Sequence, residues 1–292
     1  MLLLSGKNEL KNELSLKVIG GVNLLKSKEE ATALVESLFE RAKPVVLSFI
    51  NAHAYNMCCS DAEFNHALLK SDILLRDGIG MQILYRSIGL DSGANLNGTD
   101  YIPVLLDRYK GKRLALLGTE MPYLIKAAKS LAAEGHTIVL TETGYHTPEH
   151  YLALVRDANP EIVVLGMGMP KQEKLSILLK ENIGNSCLII NGGAILDHWG
   201  KKVRRAPLWI RSMKMEWFFR FLMEPRRLFA RYIIGNYIFL KRTRDLKKYV
   251  YSQARQIITH NLMSGHQSMI VKKVSKTVDS FAEMQTASQI AD

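Results

Sequence analysis

Ile162-Val163-Val164-Leu165-Gly166-Met167-Gly168-Met169-Pro170-Lys171-Gln172-Glu173 holds one complete unit of the fold. Four aliphatic residues in a row, three of them β-branched, read as a short strand buried on both faces. Two glycines break the run. Pro170 then opens a helix predicted over 170–181, because a fixed φ and a missing N–H suit the first helical turn. Strand, glycine turn and helix together make a βα unit of a parallel sheet. The same alternation repeats on both sides. Strands are predicted at 18–22, 44–50, 73–75, 113–117, 137–140 and 187–190. Helices are predicted at 27–41, 60–70, 79–88, 99–109, 122–134 and 148–158, with Ser27/Glu30 and Ser60/Glu63 spaced as capping boxes. The expected fold is α/β: a Rossmann-like, mostly parallel sheet with helices on both faces, plus a C-terminal helical basic appendage.

The alternation stops near Gly200, and the charge changes there. Residues 201–248 hold 15 Lys and Arg against the acids Glu216, Glu224 and Asp245, a net charge of +12 in a chain whose total is +11. The rest of the chain is close to neutral. Aromatics are interleaved with these cations, including Trp209, Trp217, Phe218, Phe229, Tyr232, Tyr237 and Phe239. This composition suits an anionic partner with an apolar part, such as a lipid surface. About half of the aromatics are expected to pack on the body. Three segments are therefore expected: a catalytic α/β body at 1–200, a basic aromatic helical appendage at 201–248, and a polar tail at 249–292 read as loose helix or disorder. No apolar run approaches the roughly 20 residues needed to span a bilayer. The apolar start Met1-Leu2-Leu3-Leu4 is too short for a signal peptide. Cys58, Cys59 and Cys187 make neither a disulfide framework nor a zinc spacing, which fits free thiols in a reducing compartment.

Ligands of open parallel sheets bind beyond the C-terminal ends of the strands. Four such ends carry suitable chemistry. Asn51 and His53 follow the strand at 44–50; they offer an amide for a sugar hydroxyl and an acid, base or phosphate contact. Asp77, before Gly78 and Gly80, reads equally as a general base beside a ligand or as a helix N-cap. Gly166 and Gly168 let the backbone approach a ligand, the following helix N-terminus attracts phosphate, and Lys171 and Gln172 add charge and directed hydrogen bonds. Asn191-Gly192-Gly193 forms a second glycine turn, with Asp197 one helical turn on. If the strands before these two turns are neighbours, they can cradle one nucleotide. No Asp-x-Asp occurs and no His, Cys, Asp or Glu cluster shows metal spacing, so no metal and no cofactor are expected.

In order along the chain, these pieces resemble the WecG/TagA/CpsF glycosyltransferases, also called glycosyltransferase family 26. The resemblance runs from about Val18 to Leu240. It rests on the Asn51 turn, Asp77-Gly78-Ile79-Gly80, Gly98-Thr99-Asp100 and Gly166-x-Gly168-x-Pro170-Lys171-Gln172-Glu173. It continues through Gly192-Gly193-x-x-x-Asp197, Gly200-Lys201-x-Val203-x-Arg205-Ala206-Pro207, Glu216-Trp217-x-x-Arg220 and Glu224-Pro225-Arg226-Arg227. Asn51-Ala52-His53-Ala54-Tyr55-Asn56 looks most like the branch of the xanthan glucosyltransferase GumM.

The resemblance implies inverting, metal-independent transfer of a hexose or N-acetylhexosamine-type sugar. The donor is a UDP-sugar and the acceptor a saccharide on polyprenyl diphosphate, at the inner face of the cell membrane. It implies Asp77 as base and donor contacts from Asn51, Gln172 and Asp197. It gives diphosphate or acceptor contacts to Arg220, Arg227 and Arg231 of the appendage, with His53 and Arg205 beside them. Many relatives carry Thr two residues before the Asn, where this chain has Phe49; that departure fits a plain hexose better than N-acetylmannosamine.

Rival readings differ in sequence signals. A nucleic-acid-binding protein would use the same cationic segment, but no helix-turn-helix, zinc-finger or RNP pattern is present, so no nucleic acid is expected. A nicotinamide oxidoreductase needs a third glycine where Lys171 stands. A non-catalytic membrane-surface scaffold is the alternative to an enzyme, and a homo-oligomer is compatible with the sequence.

Overall fold

The computed structural model describes residues 12–203, 205–207, 209, 210, 213 and 215–263. After helix α1 (12–20) the body follows in order. It begins α2 (Lys28–Phe39), β1 (Val45–Ile50), α3 (Ala52–Cys58), α4 (Ala62–Leu69), β2 (Ile73–Arg76), α5 (Gly78–Ser87) and α6 (Gly98–Asp107). It continues β3 (Arg113–Gly118), α7 (Met121–Ala133), β4 (Thr137–Glu142), α8 (Pro148–Ala158), β5 (Ile162–Gly166), α9 (Lys171–Asn182), β6 (Leu188–Asn191) and α10 (Ile195–Trp199). The strands form one six-stranded sheet in the order β2-β1-β6-β5-β3-β4. Every pairing is parallel, so all six C-terminal ends lie along one edge.

Strand alternation sorts the core into two layers. On β1, Val45, Leu47 and Phe49 face Val35 of α2, Ile102 and Leu105 of α6 and Leu124 of α7. Val46 faces the other way, in a layer with Val155 of α8 and Leu175 and Leu179 of α9. Ile50, on that second side, joins Ala54 of α3 and Met81 and Leu84 of α5. Two-residue periodicity on a sheet covered on both faces explains why the strands read as unbroken apolar runs.

Two local expectations are corrected. The stretch 18–22 is not a strand: residues up to 20 are helical. Ser15, Val18, Ile19 and Val22 are all buried, at the i, i+3, i+4, i+7 spacing of a helix face. Five residues seen alone were too few to show that period. The cap of α4 is Asp61 rather than Ser60: its Oδ1 accepts the Phe64 N–H at 2.9 Å, while the Ser60 hydroxyl donates back to Asn56 and Met57 carbonyls. At α2 the Ser27 cap holds, with Oγ accepting the Glu30 N–H.

Beyond the sheet come α11 (Glu216–Met223), α12 (Pro225–Phe229), a π-helical turn at Ala230–Ile234 and the long α13 (Gly235–Met263). The last helix runs through residue 248 without a break; the remainder of the expected polar tail lies outside the described residues. Phe239 and Leu246, one face of α13, are buried in the same cluster as Ile50, Tyr55 and Met81. Phe239 meets Tyr55 edge-on at 5.7 Å. Asn56 donates to the Gly235 carbonyl at 2.7 Å, and Arg242 donates to the Asn56 carbonyl at 2.6 Å. Leu228 is buried too, whereas Trp217, Phe218, Phe229 and Tyr237 are exposed, so the appendage aromatics divide between packing and solvent. Among the described residues no helix is long and apolar enough to cross a membrane.

β3 and β5 approach most closely at Gly118 and Gly166, which pair in the ladder. Gly118 has φ +145°, and a Cβ there would collide with the Gly166 carbonyl. Gly118→Ala is therefore expected to destabilise the fold by about 3 kcal/mol or more, read by urea denaturation.

Candidate active site

A cleft of about 400 Å³ opens beyond the C-terminal ends of β1 and β2 and is closed on its far side by the appendage. Asn51, His53, Asp77, Arg220 and Arg231 line it, so five of the residues singled out in the sequence meet in one place. Such a volume accommodates a sizeable small-molecule ligand.

Asp77 lies at the N-cap position of α5, but its side chain makes no capping hydrogen bond. The first N–H of that helix, on Gly78, goes instead to Asn95 Oδ1 at 2.7 Å. The carboxylate is thus left to the cleft, and Asp77 does not cap the helix through its side chain. The Asn51 amide stands beside it, with Nδ2 at 3.5 Å from Oδ2. Burial raises its proton affinity above that of an ordinary carboxyl, and Glu216 adds to the rise. The Asn51 amide, Arg231 and Arg220 pull the other way. Asn51 itself caps α3: its Oδ1 accepts from the N–H groups of His53 and Ala54, both at 3.0 Å, which turns its NH₂ toward Asp77.

His53 is half-buried, and burial together with the Arg231 charge pushes its pKa down to about 4. His198 is pushed to about 4 by burial and by Arg220 and Arg205. Its Nε2 lies 3.2 Å from Arg220 Nη2. A neutral imidazole has a lone pair there, so Arg220 donates and is held at the cleft wall. Arg231 comes from the π-helical turn, with its guanidinium 5.7 Å from the Tyr232 ring. A carboxylate with raised proton affinity facing two guanidinium groups can take a proton from a hydroxyl while cations meet a departing diphosphate.

The other predicted residues whose side chains are described lie outside the lining of this cleft. β5 and β6 are neighbours, so their two glycine turns do lie side by side. The glycines there have reasons other than ligand approach. A Cβ on Gly166 would sit 2.6 Å from Leu196, and one on Gly192 2.5 Å from Ile195, so both let α10 pack down. Gly168 and Gly193 have positive φ, +77° and +60°, with open space where a side chain would be. Gln172 is buried and works as a clamp: its Oε1 accepts from the N–H groups of Gly168 (3.2 Å) and Gly193 (3.1 Å). Lys171 reaches away to the carbonyls of Gly144 and His146, both at 2.9 Å. Asp197 accepts from the Thr119 hydroxyl, and Arg205 pairs with Asp100 at the cleft rim. The Arg227 side chain lies outside what the structure describes.

Sequence reading missed Arg76, Asn95 and Glu216 as cleft residues. Arg76 is buried beside Asp77 and donates to the carbonyls of Gly78 and Gly93, bracing the turn that presents the carboxylate. An arginine closing a buried strand was the available signal, since such a charge needs partners.

The family model of the WecG/TagA/CpsF glycosyl transferases matches residues 17–252. Among curated proteins, the Bacillus subtilis (strain 168) N-acetylglucosaminyldiphosphoundecaprenol N-acetyl-beta-D-mannosaminyltransferase is 27% identical over 187 residues. Those residues are 62% of this chain and 73% of that protein. The family match takes in the whole sheet, the Asp77 cleft and the appendage up to α13, and the chain belongs to the WecG/TagA/CpsF family of glycosyl transferases.

Proposed function

We propose that this chain transfers a sugar from a UDP-sugar to a saccharide carried on polyprenyl diphosphate, with inversion, during assembly of an exopolysaccharide or other cell-surface polysaccharide. The observation that carries the reading is the uncapping Asp77 carboxylate in a cleft shared with Arg220 and Arg231. In a single displacement the acceptor hydroxyl oxygen attacks the anomeric carbon. Asp77 takes the hydroxyl proton, and the bond from that carbon to the UDP oxygen breaks. UDP leaves with the bonding pair. Its nucleotide lies along the paired turns at Gly166–Lys171 and Asn191–Ala194, where Gln172 acts by holding the turns rather than by direct contact. The N-terminus of α9 and the arginines of the appendage, Arg227 among them, offset the charge that develops on the diphosphate.

The Bacillus subtilis relative's name supports a lipid-diphosphate acceptor and an N-acetylhexosaminyl donor. Phe49 bears on the donor. It is buried on the opposite layer, and a Cβ on Gly98 would lie 3.4 Å from its ring, so it offers no hydroxyl to the cleft. Ser48 gives none either: it is buried against Ser71 and Asn191. These features favour a hexose over N-acetylmannosamine, as in the GumM branch. Most of the exposed large apolar side chains lie after residue 208, on the cationic appendage. That surface suits peripheral docking on an anionic membrane at its cytoplasmic side, where each nearby basic residue contributes about 1 kcal/mol.

Asp77→Asn is expected to lower turnover by about 10²–10⁴-fold while UDP affinity stays near that of the parent, measured with a panel of UDP-sugars and short-chain polyprenyl diphosphate saccharides. Near-parental turnover removes Asp77 as base, and no transfer from any donor overturns the enzymatic reading. A base must be deprotonated to act, so activity falls as pH drops through the Asp77 pKa. Because that pKa is raised, the acid limb of the pH–rate profile is expected above the ordinary carboxylate value of about 3.9 and absent from the residual activity of Asp77→Asn. In flotation assays the full chain is expected to rise with phosphatidylglycerol-containing vesicles at low salt and to be released at high salt. Failure to bind them at low salt counts against membrane docking.

A further inference from the structure

Glu142, His146 and His150 follow one another at intervals of four residues, and the fold gathers them at the outer edge of the sheet. Glu142 ends the edge strand β4, His146 lies in the loop that follows, and His150 lies in the first turn of α8. The sequence offered no metal spacing because this trio joins a strand end, a loop and a helix rather than one helical face. His146 Nε2 is 3.2 Å from Glu142 Oε1, and His150 Nε2 is 3.4 Å from Glu142 Oε2. All three donor atoms fall within 4.8 Å of one another. Around a tetrahedral zinc ion with bonds of about 2.0–2.1 Å, neighbouring donors stand about 3.3 Å apart. The two His–Glu separations are close to that value, one to each carboxylate oxygen.

We propose that Glu142, His146 and His150 bind a divalent transition-metal ion of the zinc class, leaving a fourth position to water. Two imidazoles and one carboxylate are a donor set that such ions favour over calcium or magnesium. The loop that carries the donors is already ordered. The Glu142 carboxylate accepts the Thr143 N–H at 2.7 Å, the Tyr151 hydroxyl accepts the His146 N–H at 3.0 Å, and the Tyr151 hydroxyl donates to the Thr143 carbonyl. The imidazole rings lie 4.4 Å apart at a tilt of 31°, so both can present Nε2 to one ion.

None of the three ligands lines the Asp77 cleft, so the ion takes no part in the proposed transfer step. Its effect is on the loop. Residues 143–147 supply the carbonyls of Gly144 and His146 that Lys171 holds, and Gly144 lies against Met167 of the glycine turn. An ion tying β4 to α8 would stiffen the support beneath that turn.

The test uses the untagged full chain, stripped with chelator and desalted. Titration with Co²⁺ is expected to give visible d–d absorption that saturates at one equivalent and is displaced by Zn²⁺. The His146→Asn/His150→Asn double variant is expected to lose this absorption while its circular dichroism and melting match those of the metal-free parent, because both imidazoles are more than 40% exposed. Glu142→Gln is expected to bind at least about tenfold more weakly. No one-equivalent saturation in the parent overturns the proposal, as does a double variant that binds Co²⁺ like the parent.

Discussion

The parallel pairing of β1 with β6 is the contact on which the site depends. It joins two halves of the sheet with different chemistry: β2 and β1 present Asp77 and Asn51, while β6 and β5 present the two glycine turns. Backbone register sets the seam, with Val45, Val46 and Leu47 opposite Leu188, Ile189 and Ile190. A buried polar cluster pins it, since the Asn191 amide donates to the hydroxyls of both Ser48 on β1 and Ser176 on α9. Polar groups this deep stabilise one arrangement because any slip leaves them unpaired in a medium of low dielectric. The distance from Asp77 to the two glycine turns is therefore set by the sheet.

The same economy governs Asp77. A helix start normally recruits the side chain at the N-cap, and Asp is among the best residues for it. Here the Asn95 amide satisfies the Gly78 N–H, and Arg76 ties down the carbonyls on either side. The helix start is satisfied from elsewhere, and the carboxylate stays in the cleft. Its raised proton affinity follows from the appendage covering it, because burial is the largest influence on it and Glu216 of α11 adds to the rise. Arg220 and Arg231, from the same covering segment, moderate that rise, so one segment sets both the burial and the charge around Asp77.

Much of the sheet was legible because a strand covered on both faces leaves an unbroken apolar run, as at 162–165 and 187–190. Period, not hydrophobicity, separated the failure at 18–22 from these successes: Ser15 had to be seen with Val22 before the helix showed. Asp77, Asn51 and His53 could be found as polar residues at strand ends. Arg76 and Asn95 could not be given roles, because bracing and capping are relations between the strand end and a loop some 17 residues on. The glycine turns were located correctly yet explained differently, since what occupies the missing Cβ space of Gly166 and Gly192 is α10, a neighbour that no local pattern announces. The charge of 201–248 was plain. Its division into buried Phe239 and exposed Tyr237, two residues apart, needed the helix phase.

That phase is set by the π-helical turn at Ala230–Ile234, whose wider ring is closed by the Gly235 N–H on the Ala230 carbonyl. The turn itself aims Arg231 and Tyr232 into the cleft; downstream the chain aims Phe239 and Leu246 into the core. Successive residues of an α-helix are about 100° apart, so a regular helix cannot absorb one extra residue without turning everything beyond it. The π turn absorbs it locally. It acts as a phase adapter between a turn that faces the cleft and a helix face that packs into the core.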